Sequence, residues 1–265
     1  MPIEKLSDFI EETRKFAEAT GEKQEAHRQA RCWYRGQCNA SWTLEPKLYR
    51  NRIEAAKPTD SEVKKILDLE RRLVRDFRLI SSSLRNGDES DAKLYFLEQH
   101  YGLPTRLLDW TTNPLIALYF SCAGQDQNGK VFMMDAYNLA KKRQPSRAPF
   151  GIATDRREEF RLWMQHIFDW KRLDKAKTTQ QTFPICPEHF DRRISLQLGC
   201  FTFHIPDEGH WRLPETNPIR SLTISGGGAK AKLFEELSAV NIHEFSVYGD
   251  LEALARYLKR TYGFR

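Results

Sequence analysis

From Ile3 onward, apolar residues recur at helical spacing through Leu6, Phe9, Ile10, Phe16 and Ala17, which predicts an amphipathic helix ending near Gly21. Thr59-Asp60-Ser61-Glu62 is a capping signature. The stripe Val63, Ile66, Leu67, Leu73, Val74, Phe77, Ile80 and Leu84 behind it predicts one long helix with arginines on its other face. After Asn86-Gly87-Asp88, a shorter helix through Leu94, Tyr95 and Leu97 closes at Tyr101-Gly102-Leu103-Pro104. Asn113-Pro114 has the form of an N-cap and first helical residue, because proline lacks the N–H that would be orphaned there. The stretch Leu115–Cys122 is apolar nearly all round, so its helix is expected to be central.

Lys130–Asp135 has the pattern of a buried strand, and Thr154-Asp155 that of a cap for a helix with the core stripe Phe160, Trp163, Met164, Ile167 and Phe168. Between Arg193 and Pro206 the apolar positions change parity, from Ile194, Leu196 and Leu198 to Phe201, Phe203 and Ile205. This predicts a strand bulged at Gly199, with Ser195 and Gln197 on the side opposite the leucines. The tail is expected to hold a strand at Ile219–Ile224, the turn Gly226-Gly227-Gly228, a helix through Leu233 and Leu237 and a strand ending near Tyr248. Its last helix is capped by Asp250 and pinned by Leu251, Leu254, Tyr257 and Leu258. Neither an internal repeat nor a low-complexity linker divides the chain. One α+β domain over 31–265 is therefore expected, with a helical extension over 1–30 and a Lys/Arg/Gln-rich insertion or lid over 136–187.

A composition of 40% hydrophobic and 29% charged residues is ordinary for a globular domain and argues against disorder. The N-terminus lacks a basic start with an apolar stretch behind it, and no window approaches the ~20 apolar residues that span a bilayer. A cytoplasmic protein with no membrane partner is the expectation. Five cysteines, Cys32, Cys38, Cys122, Cys186 and Cys200, are scattered without a Cys-x-x-Cys pair, which predicts reduced thiols. Cys186 with His189, and Cys200 with His204, could each offer two metal ligands, but no second pair has the usual spacing, so no metal is expected. The net charge of +6 is a mild excess. Its clusters (Arg71, Arg72, Arg75 and Arg78; Lys141, Lys142, Arg143 and Arg147; Arg192-Arg193) suit a phosphate backbone, or simply a solvated surface.

Chemistry-bearing residues concentrate in two places. In Arg31-Cys-Trp-Tyr-Arg-Gly-Gln37 a strand runs into a glycine that would let the backbone approach a ligand. There Arg35 offers a planar fork of donors and Gln37 both a donor and an acceptor; a structural salt bridge at the strand end is the plain alternative. In the run Gln99–Phe120, the polar groups of Gln99, His100, Thr105, Arg106, Asp109, Thr111 and Asn113 alternate with turn-formers ahead of the buried helix, whose N-terminus would favour an anion. Arg106 and Asp109, three apart, could pair with each other, and His100 could be a proton carrier or a hydrogen-bonded structural residue.

Tyr34-Arg-Gly-Gln37 followed by Gln99-His-Tyr-Gly-Leu-Pro-Thr-Arg-Leu-Leu-Asp-Trp-Thr-Thr-Asn-Pro114 resembles the FRG-domain family, with Tyr34 where the family name has Phe. The likeness continues through Arg193-Ile-Ser-Leu-Gln197 to Phe201 and through Tyr248-Gly-Asp-Leu-Glu-Ala-Leu-Ala-Arg256. The layout in turn resembles ADP-ribosyltransferases, and so implies a split mixed or antiparallel β-sheet core flanked by helices. In those enzymes a first strand ends in Arg or His that holds NAD, a Ser/Thr segment leads into a helix with small and aromatic residues, and a later strand supplies a catalytic Glu or its substitute. Arg35, then Thr111 with Ala117 and Tyr119, then Gln197 fall in that order.

The resemblance implies an NAD-dependent ADP-ribosyltransferase, with NAD as substrate. It would be a toxin-like effector of a phage-defence or toxin–antitoxin kind, acting on a macromolecule and open to an inhibitory antitoxin protein. The basic clusters tilt the acceptor to nucleic acid, RNA ahead of DNA. Arg35, Thr111, Gln197 and Asp109 are the expected catalytic residues. Tyr34, Arg35, Gly36, Gln37, His100, Arg106, Thr111, Asn113 and Tyr119 are the expected NAD contacts. Gln197 departs from the pattern, since an amide cannot act as a base, and Asp109 is the nearest carboxylate within a motif. A non-catalytic nucleotide- or RNA-binding module is the alternative. A nuclease is a weaker third reading, because no carboxylate cluster for two metals is visible.

Overall fold

The computed structural model describes residues 2–21, 31–50, 52–53, 58–85, 87, 89–124, 126–143, 157–169, 171, 182–187, 191–206 and 211–264. Strands β1 (Cys32–Gln37), β2 (Leu107–Thr111), β3 (Gly129–Asp135), β4 (Phe183–Ile185), β5 (Gly199–Phe203) and β6 (Ile219–Ile224) form one sheet in the order β4-β5-β2-β1-β3-β6. Every pairing is antiparallel. β1 pairs with β3 along its whole length, from Cys32↔Asp135 to Gln37↔Lys130, yet it meets β2 only at Tyr34↔Thr111. The sheet is thus two three-stranded halves joined at one residue pair.

The face that carries Tyr34, Thr111 and Phe201 is covered by helices along both halves of the sheet. On one half, α1 (Leu6–Thr20), α4 (Pro114–Cys122) and α8 (Gly228–Ala239) close over β1 and β3, with Phe9, Phe16, Tyr34, Leu118, Val131 and Leu233 in a common core. Gly21 ends α1 in the left-handed conformation, as the pattern predicted. Asn113 caps α4 by accepting from Leu115 N–H, and Pro114 follows it. Around β2, β4 and β5 lie α2 (Asp60–Ile80), whose Thr59–Glu62 capping box is formed, α3 (Asp91–His100) and α6 (Arg157–Phe168). Gly36 is required by the packing of β1 on α4: a Cβ there would fall 1.8 Å from the Ala117 carbonyl oxygen. The glycine therefore serves helix–strand contact, where the sequence suggested approach to a ligand.

The described parts of 136–187 are α5 (Ala136–Arg143), α6 and β4. Phe160, Trp163, Met164 and Ile167 are in the core with Phe183 and Ile185, and β4 pairs with β5 at the sheet edge. The expected cap at Thr154-Asp155 lies outside the described residues, as do Arg147 and His189. No helix among the described residues is long and apolar enough to cross a membrane.

Several expectations are corrected. Arg192–Leu196 is a helix, α7, so the predicted strand begins only at Gly199. Asp191 caps α7 by accepting from Arg193 and Ile194 N–H, and Leu198 turns the chain into β5 at φ 46, a conformation rare outside glycine. The parity switch at Gly199 is therefore a helix-to-strand junction, because apolar alternation over so few residues fits both periods. Glu244–Tyr248 is likewise a helix, α9, in place of a strand, with the His243 side chain accepting from Ser246 N–H at its start. Asp250 does cap α10 (Leu251–Thr261), but only Ala253 of that helix is buried, and Leu251 and Leu258 are exposed. Ile80 and Leu84 at the end of the long-helix stripe are exposed as well. β2 had no counterpart among the predicted strands.

Arg106 is fully buried and bonded to Glu70 by two hydrogen bonds, Nε–Oε1 at 2.8 Å and Nη2–Oε2 at 2.6 Å. The Tyr95 hydroxyl donates to Glu70 and accepts from Arg106 N–H, and the guanidinium carbon sits 4.4 Å from the Trp163 ring centroid. This network ties α2 and α3 to the start of β2. Breaking a buried pair from one side strands the other charge. Glu70→Gln is expected to lower unfolding stability by about 3–5 kcal/mol, while the apolar double variant Glu70→Leu/Arg106→Met recovers much of that loss in the same denaturant titration.

Glu98, on α3, is buried, its Oε1 lacks a hydrogen-bond partner, and burial and then Glu70 push its carboxyl up from 4.5 to about 9. A raised folded-state value means that the native protein binds the proton more tightly than the unfolded chain. The associated stability is complete below pH 4.5 and is lost as pH rises toward about 9, at about 1.4 kcal/mol per pH unit. Glu98→Gln is expected to flatten this fall in unfolding free energies measured from pH 5 to 9; an unchanged slope contradicts the assignment.

Candidate functional site

Extending the register from Tyr34↔Thr111 would set Gly36 opposite Asp109, but β1 and β2 are already unpaired there. A backbone carbonyl left by a broken ladder needs another donor. Arg35 supplies it: Nη1 donates to the Asp109 carbonyl oxygen at 2.8 Å and lies 3.6 Å from the Asp109 carboxylate. Above this seam opens a cavity of about 650 Å³, within the size range of small-molecule sites. Its polar lining includes Arg35, Gln99, His100, Asp109, Thr111, Arg193, Gln197 and Asp250; its apolar walls come from Tyr34, Phe96, Ile116, Phe120 and Phe201.

Asp109 is held from the other side. The Gln99 amide donates to both carboxylate oxygens, at 3.0 and 2.9 Å, and its own carbonyl oxygen accepts from the Thr105 hydroxyl. Thr105 also accepts from Leu107 N–H, which fixes this chain of bonds to the start of β2. The carboxylate remains 56% exposed toward the cavity, whereas the Arg35 side chain is 14% exposed. Arg35 Nε is buried without a hydrogen-bond partner. Burial lowers the Arg35 pKa, opposed by Asp109 and aided by nearby Arg50. The part of the guanidinium that reaches the lining is a cation suited to an anionic group.

Of the predicted site residues, the structure brings Tyr34, Arg35, Gly36, His100, Asp109, Thr111 and Gln197 to this cavity. It places the other four elsewhere. Gln37 is buried and its amide donates to Thr43 O; Arg106 is locked to Glu70 and not to Asp109; Asn113 caps α4; Tyr119 is packed against Phe120, Phe234 and Tyr248. Each of these side chains is engaged within the scaffold, by hydrogen bonding, ion pairing, capping or ring packing. Gln197 lines the cavity from the end of α7, but its amide donates to Val247 O at 3.3 Å. Thr111 also faces inward, donating to Gln197 O at 2.6 Å.

His100 Nδ1 lies 2.9 Å from the Asp191 carboxylate, which also caps α7. Burial outweighs that carboxylate and holds the His100 pKa below its ordinary value, so the ring is neutral at pH 7. The basic clusters are partly internal: Arg71 bonds to His166, and Arg78 pairs with Asp91. Arg193 sits over the Tyr248 ring at the cavity edge. Gln99, Phe96, Arg193 and Asp250 are among the lining residues beyond the predicted set; Gln99 stands in the dense motif, and Asp250 is legible in the sequence only as a cap.

No curated protein and no solved structure matches the chain. The segment that carries Arg35, Gln99, Asp109 and Thr111 does have an assignment: residues 30–130 match the family model of the FRG domain.

Proposed function

We propose that this protein is an NAD-dependent ADP-ribosyltransferase, a toxin-like effector of the phage-defence or toxin–antitoxin kind, whose acceptor is nucleic acid, RNA ahead of DNA. The observation that carries the reading is the pairing of a buried, under-used Arg35 with an exposed Asp109 across the open seam between β1 and β2. The neighbouring order β5-β2-β1 also supports it, because the segments bearing Gln197, Thr111 and Arg35 then converge on one cavity.

Transfer breaks the bond between the ribose C1′ and the nicotinamide nitrogen, which leaves with the bonding electrons, and an acceptor lone pair forms the new bond to C1′. Positive charge develops on the ribose in between. A fixed carboxylate stabilises that charge without reorganising, which is the role assigned to Asp109; Gln99 and Arg35 keep it in place. Arg35 offers the positive charge of its guanidinium to the pyrophosphate. Tyr34, Phe96 and Phe120 provide flat apolar surface for the rings and exclude water from the reacting carbon.

One observation favours a non-catalytic nucleotide- or RNA-binding FRG module: the third position of the layout is Gln197, with its amide engaged by Val247 O. Incubation with labelled NAD and total RNA, DNA or protein separates the two. Label is expected on RNA with stoichiometric nicotinamide release, and Arg35→Ala is expected to lower kcat/KM by about 10²–10³ while the fold is kept. Binding of NAD or RNA with no nicotinamide released by the folded protein would establish the module instead.

A further inference from the structure

Cys186 and Cys200 were expected to be unconnected thiols. β4 and β5 pair antiparallel through Ile185↔Phe201, so the next position in the same register sets Cys186 opposite Cys200. Cys200 belongs to a core cluster, and Cys186 packs against it. Directly opposed residues on antiparallel strands have Cα atoms about 4.5–5.5 Å apart, inside the roughly 4.4–6.8 Å that a disulfide spans. Cys200 lies between Gly199 and Phe201, both of which line the cavity, and it pairs with Trp110 of β2 on its other side. The chain between the two cysteines carries Asp191, the partner of His100, and then Arg193, Ile194 and Gln197 of the cavity wall.

We propose that Cys186 and Cys200 are a redox-modifiable pair whose disulfide closes the chain around one wall of the cavity. The inference stands on register and placement and holds whatever ligand the cavity takes. Cys186 is half-buried and Cys200 is 1% exposed, so Cys186 meets a small-molecule disulfide such as oxidised glutathione first. Its thiolate attacks one sulfur, forming a mixed disulfide and releasing one glutathione. The Cys200 thiolate then attacks the Cys186 sulfur and expels the second. Two electrons pass to the oxidant, and the two thiol protons end on the two glutathione molecules. Burial pushes the Cys200 thiol up, which makes the second step the slower one. Closure restrains β4, the three-residue edge strand, and the α7 wall together.

The purified protein is treated with oxidised glutathione, alkylated and digested with trypsin, which separates Cys186 (residues 178–192) from Cys200 (residues 194–212). The expected product is these two peptides joined, at an intact mass lower by two hydrogens. Cys200→Ser is expected to trap glutathione on Cys186, and Cys186→Ser to give neither product. Amide exchange across 191–200 is expected to slow by about tenfold on oxidation and to recover with dithiothreitol. Full alkylation of both cysteines after oxidation, links to Cys32, Cys38 or Cys122 instead, or unchanged exchange in the cross-linked protein would overturn the proposal. None of these readouts depends on NAD or on transfer.

Discussion

The structure turns on a ladder that stops after one rung. β1 and β2 are neighbours in sequence-distant parts of the sheet, yet Tyr34↔Thr111 is their one paired position, and beyond it the Asp109 carbonyl would be left without a donor. Arg35 bridges the gap with a hydrogen bond to that carbonyl. The same guanidinium is thereby fixed beside the Asp109 carboxylate, at the floor of a cavity that exists because the two halves of the sheet part there. The side chain that satisfies the broken ladder is also a cation in the lining of the cavity.

What surrounds the seam keeps it in register. On one side, Gly36 lets α4 lie against β1 with no side chain between them, and Asn113 and Pro114 set where that helix begins. On the other, the Glu70–Arg106 pair and Tyr95 hold α2 and α3 against the start of β2, directly beside the Thr105–Gln99–Asp109 chain of hydrogen bonds. The dense motif from Gln99 onward therefore divides its labour. Arg106 looks inward and fastens the motif, whereas Gln99 and Asp109 look outward and present it. A buried ion pair contributes little net energy but strongly penalises alternatives that separate its partners, which suits a site whose carboxylate must stay where it is.

Helices with capping signals and strong apolar periodicity were legible from sequence: α1 with Gly21, α2 with its capping box and α4 with Asn113-Pro114 all stand where the pattern set them. Short elements were not. α7 and α9, each five residues long, carry alternating apolar positions that fit a strand equally well, and their caps, Asp191 and His243, became meaningful only once the chain had turned. Within the site, the motifs located the cavity but could not assign directions. Residue type alone does not say that Arg35 faces Asp109 while Arg106 faces Glu70, or that Gln37 and Tyr119 are consumed by packing. Direction follows from strand register and burial, which are tertiary facts.

The claim at the centre of this account is that Asp109 acts on the reacting ribose and not merely on binding. Asp109→Asn keeps the shape of the side chain and its place beside Gln99 while removing its charge. NAD affinity by calorimetry and nicotinamide release should be measured together on this variant and the parent protein. The account predicts a dissociation constant within about threefold of the parent and release slowed by about a hundredfold or more. Release at the parent rate, or a parent protein that does not bind NAD, would contradict it.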